Sequence, residues 1–306
     1  MNSRIRFDTF SETTYVVGSA VDITLVVGDH FIGKLAKAFG TRHVRGQSFP
    51  GIQKETADKV DVLGVPVHAL DRHALTELLQ ELPEGKTRGW LSYVNVHAVN
   101  LANELPWFRD FLRESLITYC DGEGVRLGSK IIGKPLPERI VLTDWIYDVC
   151  ATAQEQKWKL YLLGSTDIVL EKTVRTLQTR YPDLRFAGFH NGFFKPQENG
   201  SIVSTINRSR PDILIVGMGM PRQEKWILEN IRNLKVHLIM NAGSCFDYVS
   251  GEKRRCPAWM GRLGLEWLFR LMLEPRRLWK RYLIGNPLFL MRVIRARLTA
   301  RGRQDS

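Results

Sequence analysis

The sequence predicts an α/β fold: a mainly parallel sheet with helices on both faces, followed by a basic helical appendage at the C-terminal end. Three observations carry this. From Val60 to Met240, short β-branched and apolar runs alternate with amphipathic helical stretches, the pattern of β–α units in a sheet covered on both faces. Three of those runs end in glycine turns, at Gly164, Gly217/Gly219 and Gly243. From Cys256 onward the strand pattern stops, and helical stretches interleave Trp, Phe, Leu and Met with Arg and Lys.

Residues 1–58 precede that grammar. Tyr15 to Val27 is apolar and β-branched, Phe31 to Phe39 has weak helical spacing, and Gly46 to Lys59 is a polar linker. They read as an N-terminal extension, partly disordered, with no assignable function. In the core, residues 59–252, Val62 to His68 is expected as one strand, and Asp71 opens a helix through Leu79. Trp90 to Val94 is a strand, Asn95 starts a helix, and Pro106 begins another. A strand from Leu116 to Tyr119 leads to Asp121 and a helix from Val125. Asp144 to Ala153 is helical. Leu160 to Leu163 precedes a helix from Ile168 to Arg180, and Leu184 to Ala187 is a strand. Ile202 to Arg208 is a helix, Ile213 to Val216 a strand followed by a helix from Pro221, and Val236 to Met240 the last strand. In the final segment, residues 253–306, helices are expected over Met260 to Met272, Pro275 to Ile284 and Pro287 to Leu298.

Composition narrows the function classes. The 306 residues carry a net charge of +12. From Lys253 to Ser306 there are 14 Lys or Arg against 3 Asp or Glu, a surplus of 11, so nearly all of the excess sits in the last segment. Such a block marks an anionic partner: nucleic acid, acidic lipid or a phosphorylated ligand. Basic helices with interfacial Trp259, Trp267, Trp279 and Tyr282 fit a protein lying on a membrane surface. The alternative is that the aromatic face packs on the α/β body and the arginines are solvated. No uncharged apolar run reaches 18 residues and no secretory leader pattern is present, so neither a spanning helix nor a signal peptide is expected. Cys120, Cys150, Cys245 and Cys256 form no C-x-x-C, which argues against a zinc site or disulfide framework and fits a reducing cytosol. The oligomeric state is left open.

The stretch most charged with chemistry is Cys120-Asp121-Gly122-Glu123-Gly124-Val125. A carboxylate at the carboxyl end of a strand, before a helix, stands where open α/β sheets contact ligands. The other reading is that Asp121 caps the following helix. The turns at Gly164, Gly219 and Gly243 can each aim N–H groups at a phosphate, although none completes a dinucleotide or P-loop fingerprint.

Four phrases occur in order: the Asp121 stretch; Gly133-Lys134-Pro135-Leu136-Pro137-Glu138-Arg139; Gly217-x-Gly219-x-Pro221-Arg222-Gln223-Glu224-x-Trp226; and Arg255-x-Pro257 with Gly264-Leu265-Glu266-Trp267…Glu274-Pro275-x-Arg277. Over about residues 60 to 290 they make the chain resemble the WecG/TagA/CpsF glycosyltransferase family, which also includes an enzyme of xanthan assembly. The resemblance implies a Rossmann-like enzyme, peripheral on the inner face of the bacterial cytoplasmic membrane. It implies transfer of a hexose or N-acetylhexosamine, with inversion, from a UDP-sugar to an undecaprenyl-diphosphate-linked saccharide of exopolysaccharide, capsule or wall polymer synthesis. It makes Asp121 the base, places Asn95, Arg139 and Gln223 in the pocket, and assigns Arg270, Arg277 and Lys280 or Arg281 to the diphosphate.

Inverting transfer needs one base for the acceptor hydroxyl and positive charge for the departing diphosphate, and these residues supply both. No D-x-D occurs, so no metal and no cofactor are expected, with Asp121-x-Glu123 as the one pair that could take a metal instead. Glu266 reads as structural, and Asp144 and Asp247 as non-catalytic. Tyr93, Leu142 and Lys280 depart from the family pattern, and the donor sugar stays open among N-acetylmannosamine, its uronic acid, glucose and galactose. A non-enzymatic nucleic-acid-binding protein would account for the charge but leaves Asp121 and the glycine turns idle. A dehydrogenase lacks its G-x-G-x-x-G.

Overall fold

The computed structural model describes residues 58–81 and 88–302. The expectations for residues 1–57 lie outside the described residues. The first element differs from expectation: β1 (Lys59–Val62) and β2 (Val65–His68) pair as an antiparallel hairpin instead of one strand. Leu63 and Gly64 take φ of 56° and 86°, the two-residue turn that suits the right-handed twist of a ribbon. The Gly64 N–H donates to Asp61 Oδ1 at 2.7 Å.

The core then alternates as expected. Helix α1 (Arg72–Glu81) is capped by Asp71, whose Oδ1 accepts from the Ala74 N–H at 2.8 Å. Strand β3 (Gly89–Val94) feeds α2 (Val96–Glu104), and α3 (Pro106–Glu114) feeds β4 (Ile117–Cys120). Next come α4 (Glu123–Ile132), α5 (Leu142–Glu155), β5 (Lys159–Gly164), α6 (Asp167–Arg180) and β6 (Arg185–His190). The core closes with α7 (Asn199–Ser209), β7 (Ile213–Gly217), α8 (Arg222–Asn230), β8 (Leu238–Asn241) and the short α9 (Cys245–Val249). Six strands form one sheet in the order β4-β3-β8-β7-β5-β6, and every pairing in it is parallel. Strands β3, β4, β7 and β8 are buried along their whole length, as a sheet covered on both faces requires. Alternate residues serve the two layers. Leu91, Tyr93, Ile213 and Ile215 pack with Trp145 and Phe246 on one side. Trp90, Val94, Leu214 and Val216 pack with Phe108, Trp226 and the hairpin valines on the other.

The last segment folds as α10 (Ala258–Arg262), α11 (Glu266–Leu273), α12 (Pro275–Trp279), a π-helical turn (Lys280–Ile284) and α13 (Gly285–Gly302). The single helix expected over Met260 to Met272 is therefore split. Gly264 takes φ +70°, a left-handed conformation that ends α10. Helix α13 is docked on the core. Phe289 and Val293 are buried in the layer that holds α2, α3 and α4. Asn100 Nδ2 donates to the Gly285 carbonyl at 2.8 Å, Arg292 Nη1 to Asn100 Oδ1 at 2.9 Å, and Arg297 Nη1 to the Ile132 carbonyl at 3.0 Å. The contact is close because α4 offers a glycine: a Cβ on Gly128 would lie 2.7 Å from Phe289 Cζ.

This contact gives a stability prediction. Gly128→Leu gains about 1 kcal/mol of helix propensity, yet it forces Phe289 out of its seat and overpacking costs about 1–3 kcal/mol. The expected result is a lowered thermal midpoint by calorimetry, and Phe289→Ala in the same chain should recover part of it. A midpoint at or above that of the unmodified chain would show that α13 is not held at this contact.

Candidate active site

The register of two strands builds the site. Val94 on β3 is paired with Cys120 on β4, so the next residues, Asn95 and Asp121, leave the sheet at the same level. The Asp121 N–H donates to the Val94 carbonyl at 2.9 Å. The turn after β4 then lies directly against the start of α2. A Cβ on Gly122 would stand 3.1 Å from both Cα and Cβ of Asn95, and one on Gly124 would stand 2.5 Å from Val96 Cγ2. Glycine at these two positions is what allows the approach. Asn95 caps α2, its Oδ1 accepting from the Ala98 N–H at 3.1 Å. Asp121 caps nothing: the cap position of α4 is Gly122, with no side-chain hydrogen bond.

Above these residues lies a cavity of about 650 Å³. The core contributes Asn95, His97, Asp121 and Arg139, and the C-terminal segment contributes Glu266, Arg270 and Arg281. Arg139 Nη2 meets Glu266 Oε2 at 2.9 Å, not the adjacent Glu138, which instead accepts from the Arg72 N–H. That pair joins core and segment across the cavity. The Arg270 guanidinium lies over the Tyr248 ring at 5.2 Å. Arg281 Nε is buried with no hydrogen-bond partner among the described residues. Glu123, the second member of the possible metal pair, is taken up by Arg126 at 2.6 Å.

The half-buried Asp121 carboxyl is held up, at about 6, by its removal from water. Arg270 and then Arg139 pull it down, Glu266 pushes it up, and the Leu142 N–H donates to it. At neutral pH it is ionised, close to titration and, among the described residues, without an ion pair of its own. His97 is driven down to about 3 by burial and by Arg281, so its imidazole is neutral and can accept as well as donate.

Other expected site residues lie elsewhere. Gln223 is fully buried. Its Oε1 accepts from the Gly219 N–H at 3.1 Å and the Gly243 N–H at 3.0 Å. Its Nε2 donates to Glu224 Oε1 at 2.7 Å and Tyr93 Oη at 3.2 Å. Gln223, Gly219 and Gly243 are thus brought together with one another, and two of the N–H groups expected for a phosphate already serve Gln223. Gly164 sits so close to the end of β7 that a Cβ would meet the Gly217 carbonyl at 2.2 Å. None of these four lines the cavity, and neither do Arg277 and Lys280. Arg277 pairs with Glu274, and Lys280 lies 5.6 Å over the Trp279 ring. Asp144 pairs with Arg255 at 2.6 Å, and Asp247 accepts from Ser165 Oγ at 2.7 Å. No sequence motif singled out His97 or the exposed leucines of the cavity wall, and Trp267 and Tyr282, expected at a membrane surface, line the cavity. The one signal for His97 was its place in the first turn of the helix after Asn95.

The cavity electrostatics can be measured directly. Carbon-13 NMR of the carboxyl groups should show Asp121 titrating near 6. Because burial lifts the folded-state value above the ordinary 3.8, this group's contribution to stability is full below 3.8 and is lost as pH rises through about 6. Arg270→Ala removes the largest charge favouring the carboxylate, so the midpoint should move higher; a shift to lower pH would contradict this arrangement.

Residues 60–303 match the Glycosyl transferase WecG/TagA/CpsF family. The chain is 28% identical over 247 residues to an N-acetylglucosaminyldiphosphoundecaprenol N-acetyl-beta-D-mannosaminyltransferase of Staphylococcus aureus strain NCTC 8325 / PS 47, covering 80% of this chain and 96% of the relative. The proteins of the same name in strains COL and MRSA252 match with the same identity and coverage. With its parallel sheet, its strand-end aspartate and a family match spanning core and C-terminal segment, the chain belongs to the WecG/TagA/CpsF glycosyl transferase family.

Proposed function

We propose that this chain transfers a hexose or N-acetylhexosamine, of the N-acetylmannosamine or glucose type, from a UDP-sugar to a saccharide linked to undecaprenyl diphosphate. The transfer inverts the anomeric carbon and serves bacterial exopolysaccharide, capsule or wall polymer synthesis. The observation that carries this reading is Asp121 on a cavity that also holds Arg139, Arg270 and Arg281, where the other two lining carboxylates, Glu123 and Glu266, are paired with Arg126 and Arg139. The relatives' name, which specifies a polyprenyl-diphosphate acceptor, supports the acceptor class.

In the proposed mechanism, the acceptor hydroxyl donates to Asp121, and its oxygen attacks the anomeric carbon opposite the bond to UDP. Asp121 takes the proton as the C–O bond forms. The electron pair of the breaking bond leaves on the UDP oxygen, where Arg270 and Arg281 offset the growing charge. Asn95 and the neutral His97 orient the acceptor sugar. These arginines supply the charge a metal would otherwise bring, so the reaction runs without one.

Asp121→Asn should lower kcat by about 10²–10⁴ with UDP affinity little changed. In the unmodified enzyme kcat/KM should rise with pH through about 6 and level off above it, because only the carboxylate accepts the proton; the variant should lack that limb. Rates should persist in EDTA. Near-normal turnover by the variant would remove Asp121 from the mechanism. Loss on chelation with rescue by Mg²⁺ would return a metal to it.

The enzyme is further proposed to work while docked on the inner face of the cytoplasmic membrane. Among the described residues no helix is long and apolar enough to cross one. Met272, Leu273, Trp279, Ile284, Ile294 and Leu298 are exposed on the segment that carries most of the positive charge. Each Lys or Arg at an anionic surface contributes about 1 kcal/mol. The chain should float with phosphatidylglycerol vesicles and not with phosphatidylcholine alone, and Trp279→Ser with Ile284→Ser should weaken this. Equal recovery with both lipids would argue against the electrostatic half of the idea.

A further inference from the structure

Four leucines on the cavity wall are uncovered. Leu127 on α4 is 52% exposed, Leu263 before α11 67%, Leu283 in the π-helical turn 55% and Leu290 on α13 40%. Single exposed leucines are ordinary, but apolar side chains converging on one opening mark a place where something docks. These four come from four separate segments and meet at one cavity. Met272, Leu273, Ile294 and Leu298 are equally exposed but do not line it, so the ring is distinct from the outer face of the segment.

The same cavity is lined by Asp121, Arg139, Arg270 and Arg281, and this shared lining narrows what the occupant can be. With Arg270 and Arg281 already assigned to the UDP, a ligand that reaches both Asp121 and the leucines is sugar-bearing at one end and apolar at the other. A sugar nucleotide has no apolar end, and a membrane acyl chain brings no saccharide to Asp121. The relatives' acceptor, N-acetylglucosaminyldiphosphoundecaprenol, has both ends in the required order. The volume of about 650 Å³ lies in the range of sites for drug-sized ligands. That suits a saccharide diphosphate with a short stretch of chain.

We infer that Leu127, Leu263, Leu283 and Leu290 seat the first isoprenoid units of the acceptor lipid, next to its diphosphate. The inference rests on the proposed reading of a polyprenyl-linked acceptor and adds to it a protein site for the lipid itself. The enzyme then grips the chain where it leaves the diphosphate, and acceptor selection extends into the lipid instead of stopping at the sugar.

The test is calorimetric titration of the full chain, without detergent or membrane, with geranyl diphosphate and with methyl diphosphate as probes. Geranyl diphosphate should bind at least about tenfold more tightly, a difference of about 1.4 kcal/mol. Leu283→Ser with Leu290→Ser should remove most of that preference, as should Leu127→Ser alone on α4, each with its thermal midpoint checked. Ile168→Ser, exposed on α6 away from the cavity, should leave the preference intact. Equal affinity for the two probes in the unmodified chain would overturn the inference. So would leucine variants that keep the preference and lose only vesicle binding, since the ring would then belong to the membrane-contact face. The binding readout is separate from turnover. A geranyl preference without transfer from any UDP-sugar would keep the lipid seat and remove the proposed function; transfer without the preference would do the reverse.

Discussion

Two absent β-carbons set the geometry on which the site depends. Parallel pairing brings Asn95 and Asp121 to the same level at the sheet edge, but level alone does not bring a turn and a helix start into contact. Gly122 and Gly124 do that, by leaving room for Asn95 and Val96. Any larger residue at Gly122 would push the turn away from α2. The Asp121 carboxyl would then leave the place where the Leu142 N–H donates to it and Arg270 and Arg139 act on it. The backbone approach therefore comes first, and the tuning of the carboxyl follows from it.

The C-terminal segment resolves a choice that the sequence left open, and does so in both directions. Phe289, Val293, Leu278 and Tyr282 are buried, so part of the aromatic and apolar content packs inward. Trp279, Ile284 and Ile294 stay outside, and Arg270, Arg281 and Glu266 line the cavity. One stretch of chain thus presents an inner, an outer and a site-facing surface. The π-helical turn at Lys280–Ile284 changes the angular phase between α12 and α13. Arg270 and Arg281 are turned into the cavity, where a nucleic-acid footprint on the segment would leave them, like Asp121, without a role.

The fold class was legible because period and punctuation agree along the core: short apolar runs, glycine turns and helices opened by Asp71, Asn95 and Pro106. The hairpin at Leu63-Gly64 was not, because a single glycine after leucine looks like an interruption of a strand until its positive φ is known. The split at Gly264 was missed for a related reason: the flanking apolar residues keep a helical spacing on both sides. In the site, Asn95, Asp121 and Arg139 were legible from strand ends and motif phrases. Gln223 illustrates the limit. Its phrase marks the right loop, but a sequence cannot say whether a polar side chain points into a cavity or back at two backbone N–H groups. The leucine wall was illegible in kind, since four residues far apart in the chain acquire meaning only when the fold puts them around one opening.

Two carboxyls at this edge of the sheet are lifted by burial, Asp121 to about 6 and Glu224 to about 7, so titration alone does not choose between them as the proposed base. Access does. Glu224 is fully buried, and its Oε1 accepts from Gln223 and from Asn241 Nδ2 at 2.9 Å. Its Oε2 has no partner among the described residues, but Glu224 does not line the cavity. An acceptor hydroxyl would have to displace Gln223 to approach, and in doing so would release the N–H groups of Gly219 and Gly243. Glu224 is thus a member of the scaffold that holds two loops and Tyr93 in place. Asp121 has the reverse arrangement: a half-buried carboxyl, opposed by arginines on two walls and open toward the volume where a sugar would sit. A general base must reach its proton before its affinity matters, and on that ground the proposed chemistry belongs to Asp121.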